Sequence, residues 1–244
     1  MSITKRQEQI LTILDERTFI TVNHLAEMLF TSPSSIRRDL TYMQNCGLVT
    51  RSHGGVSLPT PISGVASFHD RMQKSPLQKR KIAQKAATLL KDGQKILLDS
   101  SSTVAFLLPY IAKLNGACVF TNNLSTALNA IELGIDTHCL GGHAIRGSAA
   151  LSGISTYRSL MDIKADILFF SSQALDEQGD VSDSTEEENA VRLWMLESAK
   201  TAVFLCDSDK FGSRALFKLT NLQDIDYAVF DRPFEGCNIS CQTI

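Results

Sequence analysis

The sequence predicts two folded parts: a small α+β unit at the N-terminus and a larger α/β unit after it. Three observations carry this. Three short amphipathic helical patterns and an extended run around a Gly-Gly pair fill the first 58 residues. A stretch rich in Pro, Ser and Gly follows, with Pro59, Pro61, Ser63 and Gly64, a composition that marks a loop between units. Beyond it, apolar runs of strand length alternate with helical patterns, which implies a mostly parallel sheet covered by helices. The expected boundaries are 1–58, a linker over 59–75, and 76–244. A chain of 244 residues has room for both units.

In the first unit, Ile10, Leu11 and Leu14 fall on one face of a helix expected over 4–16. Thr21 is placed to cap a second helix carrying Val22, Leu25, Ala26 and Leu29. Ser32 before Pro33 is a helix start, because proline fits the first helical position. This third helix turns Ile36, Leu40 and Met43 inward and ends at Gly47. The run from Leu48 to Leu58 then reads as a hairpin about Gly54 and Gly55.

In the second unit, a helix is expected over 77–90, closed by Asp92-Gly93. Strands are expected over 96–98, 118–120, 137–140, 167–170, 202–206 and 227–230. Helices are expected from the turn after the first of these strands to 113, over 124–133 and over 186–199. The bland reading of the acidic stretch 180–188 is an exposed loop and helix start, and it is preferred for Glu186 and Glu187, which suit the helix dipole. Trp194, the single tryptophan, reads as a core or subunit contact.

Composition excludes several classes. Hydrophobic residues make up 43% and charged residues 20%, an ordinary globular balance. A net charge of -2 argues against a protein that coats nucleic acid or membrane over its whole surface. Residues 1–57 hold six basic and five acidic side chains, so any basic face there is local. Six cysteines occur without a CxxC and without zinc spacing to a histidine, so no metal, no cofactor and no disulfide is expected. No apolar run approaches the ~20 residues of a membrane span, and a reducing cytoplasm with no membrane partner is the expected setting.

Two constellations carry chemistry. In a helix-turn-helix, the second helix of the pair enters the major groove with its first residues. Those residues here are Ser34, Ser35, Arg37 and Arg38, beginning at the Ser32 cap, and the hairpin adds Arg51 and His53 as a wing. Arginine can donate two bonds to guanine, while serine and the wing residues suit bases or phosphates. An arginine pair alone is more often a solvated surface; helix spacing, cap, pair and basic hairpin together favour double-stranded operator DNA. One such head makes few contacts, so a homo-oligomer on repeated half-sites is expected.

The second constellation lies at strand ends of the larger unit. The first strand runs into Asp99, Ser100, Ser101, Ser102 and Thr103; others end in Thr121 and Asn122, in Gly141 and Gly142, and in Asp207 to Gly212. Ligands of open α/β sheets bind beyond the carboxyl ends of strands, hydroxyls and free N–H groups suit an anion, and Lys210 adds a cation. A serine-rich turn taken singly is a helix cap, and Gly141-Gly142 taken singly is a turn. Four such ends in one sheet favour a shared pocket.

The run Ser32-Pro33-Ser34-Ser35-Ile36-Arg37-Arg38-Asp39-Leu40, with Gly47-Leu48-Val49-Thr50-Arg51-Ser52-His53-Gly54-Gly55-Val56, resembles the DeoR family of bacterial sugar-metabolism regulators. Asp39 fits that signature in an internal role, holding an arginine. The resemblance continues through Lys81-Ile82-Ala83, Asp92-Gly93, Leu98-Asp99, Thr121-Asn122, Gly141-Gly142, Glu188 to Met195 and Asp207 to Gly212. It implies a winged helix-turn-helix joined to an α/β sensor domain similar to sugar-phosphate isomerases. It further implies a phosphorylated sugar or related small metabolite as effector, relieving repression of a carbohydrate operon, with Glu188 added to the effector residues. Ser101 and Ser171 stand where the family often has glycine. The alternative is a sugar-phosphate isomerase-like enzyme fused to a DNA-binding head. It needs a tuned base, and none of Asp99, Asp207, Asp209 and Glu188 is marked as one, so no catalytic residue is assigned.

Overall fold

Apolar side chains recurring every three to four residues draw the helices of the first unit around one core. The computed structural model describes residues 4–17, 19–46, 48–52, 55–57, 67–236 and 241–244. The expectations placed on Gly47, His53, Gly54 and residues 58–66 lie outside these. The chain divides into two units, Met1–Gly64 and Val65–Ile244.

In the first unit, α1 (Lys5–Glu16) starts at a capping box: Thr4 Oγ1 accepts from Gln7 N, and Gln7 Oε1 accepts from Thr4 N. Strand β1 (Ile20–Thr21) leads into α2 (Val22–Met28), which Thr21 caps, and α3 (Pro33–Asn45) follows its Ser32 cap. Strands β2 (Thr50–Ser52) and β3 (Gly55–Ser57) complete a three-stranded sheet in the order β1-β3-β2. The hairpin therefore has a third strand, β1, that two residues were too short to signal in the sequence. Gly55 is required there: a Cβ would stand 2.3 Å from the Phe19 ring and 2.6 Å from the Ile20 carbonyl oxygen. Ile10, Leu14, Leu25, Ile36, Leu40, Met43 and Val56 form the core.

The second unit runs α4 (Phe68–Gln73), α5 (Pro76–Ala86), β4 (Lys95–Leu98), α6 (Ser102–Ala105), α7 (Leu108–Ile111), β5 (Cys118–Thr121), α8 (Leu124–Glu132) and β6 (Asp136–Cys139). It continues with β7 (His143–Ala144), β8 (Leu151–Ser152), α9 (Ile154–Met161), β9 (Ile167–Phe170), β10 (Ala174–Leu175), β11 (Asp180–Asp183), α10 (Glu186–Ser198), β12 (Ala202–Cys206), β13 (Phe217–Asn221), β14 (Tyr227–Phe230) and β15 (Gln242–Thr243). Seven strands form one sheet in the order β15-β14-β12-β9-β4-β5-β6, every pair parallel. Alternation assigns the faces. Ile96, Leu98, Val119, Phe169, Val203, Leu205 and Val229 pack on one side with Ile82, Ala83 and Ala86 of α5. Leu97, Leu168, Phe170, Phe204 and Ala228 pack on the other with Val191 and Met195 of α10. Burial on both faces explains why these strands read as continuous apolar runs. No helix among the described residues is long and apolar enough to cross a membrane.

Three expectations are corrected. The linker expected to reach residue 75 is folded from Ser67 onward: Ser67 and Asp70 cap α4, Phe68 is buried, and its N–H donates to the Gly147 carbonyl at 2.9 Å. The polar composition there belongs to the outer face of a docked helix. The helix expected to run to 113 is two single turns, α6 and α7, because Pro109 has no N–H for the Ala105 carbonyl. Finally, the first part of the acidic stretch is not an exposed loop. Strand β11 pairs with β10 and β13, and Val181, Ser182 and Asp183 are buried.

Candidate functional site

On α3 the inward residues Ile36, Leu40 and Met43 are fully buried, which turns Ser34, Arg37, Arg38 and Thr41 outward at helical spacing. Ser32 Oγ accepts from Ser35 N at 3.2 Å and lies within hydrogen-bond distance of the Ser34 and Ser35 hydroxyls, at 2.8 and 2.9 Å. The helix start is thus held by its own serines. Arg51 of β2 donates through Nη1 to Thr41 Oγ1 at 3.0 Å, and Thr41 donates to the Arg37 carbonyl at 2.8 Å. The wing arginine is brought to the same face as the pair, and Thr41 joins that face unforeseen. Asp39 is buried and turned the other way. It accepts from Arg6 Nε at 2.5 Å and from Gln7 Nε2 at 3.2 Å, fastening α1 to α3. The arginine it holds is Arg6, so Arg37 and Arg38 keep their charge for a partner.

In the larger unit all strands of the main sheet are parallel, so their carboxyl ends share one edge. Asp99, following β4, accepts from Ser101 N at 3.0 Å, Ser171 N at 3.3 Å and Arg192 Nε at 2.8 Å. Arg192 is buried, and its other nitrogens reach Asp183 at 3.0 Å and Glu188 at 3.3 Å. Burial works against its charge, but Asp183, Asp99 and Glu188 more than reverse this and raise its pKa above the ordinary arginine value. Asp99 and Glu188, both expected among the effector residues, are counter-ions of Arg192.

Beside this cluster stand three cations, of which Lys79 and Arg71 make no ion pair among the described residues. Lys79, 4% exposed, donates to Ser102 Oγ at 3.0 Å and to the Arg71 carbonyl. Burial, then the neighbouring Lys210, lower its pKa to about 8, with Arg71 and Lys74 adding to the effect against an opposing pull from Asp207. Arg71 donates through Nη2 to the Ser100 carbonyl at 3.4 Å, lies over the Phe68 ring, and has a buried Nε with no hydrogen-bond partner among the described residues. Burial lowers its pKa as well. Lys210 donates to Ser171 Oγ at 3.1 Å and pairs with Asp207 at 3.2 Å.

The structure thus gathers Asp99, Ser100, Ser101, Ser102, Glu188 and Lys210 into one connected network, with Thr103 buried in the same turn. Ser101 has φ of −78°, ordinary extended backbone that needs no glycine, and caps α6. Thr121 and Asn122 are tied elsewhere: Thr121 Oγ1 accepts from Asn123 N, and Asn122 Nδ2 donates to the Leu151 carbonyl. Gly141 accepts from Thr156 Oγ1 at 2.6 Å. Gly142 has φ of +138°, and a Cβ there would stand 2.2 Å from Thr156 Oγ1, so close packing on α9 demands that glycine.

Sequence reasoning missed Arg71, Lys79, Asp183 and Arg192. Two had a signal. Lys79 shares a helical face with Ile82, Ala83 and Ala86, and Glu188 and Arg192 share one with Val191 and Met195. Charges at core positions of an amphipathic helix mark a buried network. Trp194 packs against Tyr157 with ring centroids 4.7 Å apart, a core contact.

Residues 6–61 match the model of the DeoR-like helix-turn-helix domain, and residues 74–232 match that of the DeoR C terminal sensor domain. HTH-type transcriptional regulator GolR of Listeria innocua is 30% identical over 93% of this chain and 90% of its own length. HTH-type transcriptional repressor GlcR of Bacillus subtilis is 29% identical over 93% and 89%. The glycerol-3-phosphate regulon repressor of Haemophilus influenzae is 26% identical over the same shares. Among solved structures, a D-ribose-5-phosphate isomerase in complex with phospho-erythronic acid aligns with 55% of this chain and 52% of its own, at 16% identity and a TM-score of 0.42.

Proposed function

We propose, for a chain that belongs to the DeoR family, that operator binding by its N-terminal head is released by a phosphorylated sugar in its sensor domain. The chain is a DNA-binding transcriptional regulator and not an enzyme, as its relatives are named. Residues 1–58 serve as the head and residues from Ser67 onward as the sensor. Ser34, Arg37, Arg38 and Arg51 form the face toward double-stranded DNA, and Ser32 sets the helix that carries them. Two or more copies act together in the cytoplasm, repressing a carbohydrate operon; among its relatives one is named a transcriptional repressor and another a glycerol-3-phosphate regulon repressor.

One observation carries the effector reading. Lys79 is buried and Arg71 is half-buried with its Nε shut away from water; neither makes an ion pair among the described residues, and their hydrogen bonds go to carbonyl and hydroxyl oxygens. Uncompensated buried cations are unfavourable. A phosphate between Arg71, Lys79 and Lys210, against the hydroxyls of Ser100, Ser102 and Ser171, relieves that and occupies Arg71 Nε. The single turn α6 adds little dipole, so side-chain charge does this work. The isomerase alternative has no free buried base among its four candidates: Asp99 and Glu188 are held by Arg192, Asp207 by Lys210, and Asp209 is exposed and accepts from Ser75 Oγ.

Thermal unfolding of the full chain with matched phosphorylated and unphosphorylated sugars tests this. At a hundred times its Kd, the right phosphosugar stabilises by roughly 2.7 kcal/mol, and Lys210→Ala reduces the shift. Equal protection by the unphosphorylated sugar contradicts the reading.

A further inference from the structure

We propose that the open edge of the seven-stranded sheet binds a divalent cation of the zinc class through Cys118, Asp136 and His138. Strand β6 is the last of the sheet. Its register with β5 sets Cys118 opposite Asp136 and Phe120 opposite His138. Residues two apart on a strand share a face, so a thiol, a carboxylate and an imidazole leave the sheet side by side. Their ligand atoms all lie within 4.8 Å of one another. In a tetrahedral site with metal–ligand distances of about 2.0–2.3 Å, ligand atoms stand about 3.3–3.8 Å apart. Side-chain rotation closes that gap without moving the backbone.

One further observation supports the site. The His138 ring lies flat on Phe120, with centroids 4.7 Å apart and planes within 10°, and Phe120 packs against the core. One of the three donors is thus held by an existing contact. One sulfur, one nitrogen and one oxygen donor suit zinc, whereas magnesium and calcium select oxygen alone. Three protein ligands leave a fourth position open to solvent, beside the exposed Asp136 and His138. Cys118 and Asp136 begin their strands, so this site lies at the opposite ends of the strands from the effector cluster and stands independently of it. The sequence hides it, because its cysteine and histidine are 20 residues apart and only the parallel register brings them together.

Cobalt titration of the untagged full chain, in a phosphine reductant, reads the site directly. One equivalent of Co²⁺ should give a thiolate-to-metal band in the near ultraviolet and the visible bands of a tetrahedral ion, and Zn²⁺ should displace them. Cys118→Ser should abolish the near-ultraviolet band. His138→Ala and Asp136→Asn should each weaken binding about tenfold or more, with unchanged melting in the absence of metal. Cys139→Ser should bind like the wild type. No band in the wild type, an unchanged band in Cys118→Ser, or its loss in Cys139→Ser overturns the proposal.

Discussion

The two candidate sites treat positive charge in opposite ways. On α3, Arg37 and Arg38 stand in water, and the nearest acid, Asp39, is turned inward to Arg6. At the sheet edge, Lys79 and Arg192 are withdrawn from water and Arg71 is half-buried, and of the three only Arg192 receives carboxylates. Exposed arginines keep their hydration while they wait for phosphate, and binding there gains from released counterions and weakens with salt. Buried cations have lost that hydration, so a small anion that reaches them replaces it in a low-dielectric site. The head is arranged for a large polyanion and the sensor for a small one.

The comparison breaks most visibly at Arg192. Arg192→Met leaves three buried carboxylates without their cation and should destabilise the chain by about 3–5 kcal/mol, measured by chemical denaturation. Arg37→Ala should change stability by no more than about 0.5 kcal/mol. Similar losses for the two variants would erase the distinction.

Arg37→Ala should instead cost about 1–3 kcal/mol of operator binding if the side chain reads a base. Arg51→Ala should weaken binding evenly across sequences and reduce the salt slope by about 1. Binding isotherms on operator and scrambled duplexes at several salt concentrations separate these, and wild-type behaviour of both would move the reading face elsewhere.

A pH series sharpens the sensor side. Lys79 has a pKa of about 8 in the ligand-free fold, below its ordinary 10.5, through burial and the neighbouring Lys210. In the folded chain it loses its proton as pH rises through 8. A bound phosphate holds that proton on. Above neutral pH, where a phosphate monoester stays fully ionised, effector affinity should therefore hold up to about pH 8 and decline above it, by at most about tenfold per pH unit for one proton. Calorimetry on Lys79→Met should show a flat profile over that window; a decline like that of the wild type assigns the proton to another group.

The smallest effect is expected at Asp39. Its partner Arg6 is half-exposed, so Asp39→Asn should lower the stability of the head by about 1 kcal/mol, with Arg37 and Arg38 still available to DNA. A loss of specific operator binding larger than this would show that Asp39 also sets the arginine pair.

Much of this was legible in the sequence where a local rule governs. Ser32-Pro33 began α3, Thr21 capped α2, and the apolar runs became the strands of the main sheet, because caps and buried runs are local properties. Asp99, the serine turn and Lys210 were placed at one edge because a parallel sheet puts all its carboxyl ends together. Arg71 is hidden because the linker expectation runs on from the Pro-, Ser- and Gly-rich stretch 59–67 to residue 75, across a polar segment too short to show a helical period. Asp183 sat in a stretch read as exposed because acids are usually exposed, and only its partner Arg192, nine residues on, explains its burial. Thr121, Asn122, Gly141 and Gly142 share only their strand-end position with the cluster in the sequence; their hydrogen bonds run to Asn123, Leu151 and Thr156.

The most direct test of the account is operator release followed by fluorescence anisotropy on the full chain. A phosphosugar that stabilises the wild type should release it from a labelled operator duplex, and the unphosphorylated sugar should not. Lys79→Met should bind the duplex with wild-type affinity and stay bound at effector concentrations that release the wild type. Release of Lys79→Met at the same concentrations would contradict the claim that the buried cations hold the effector.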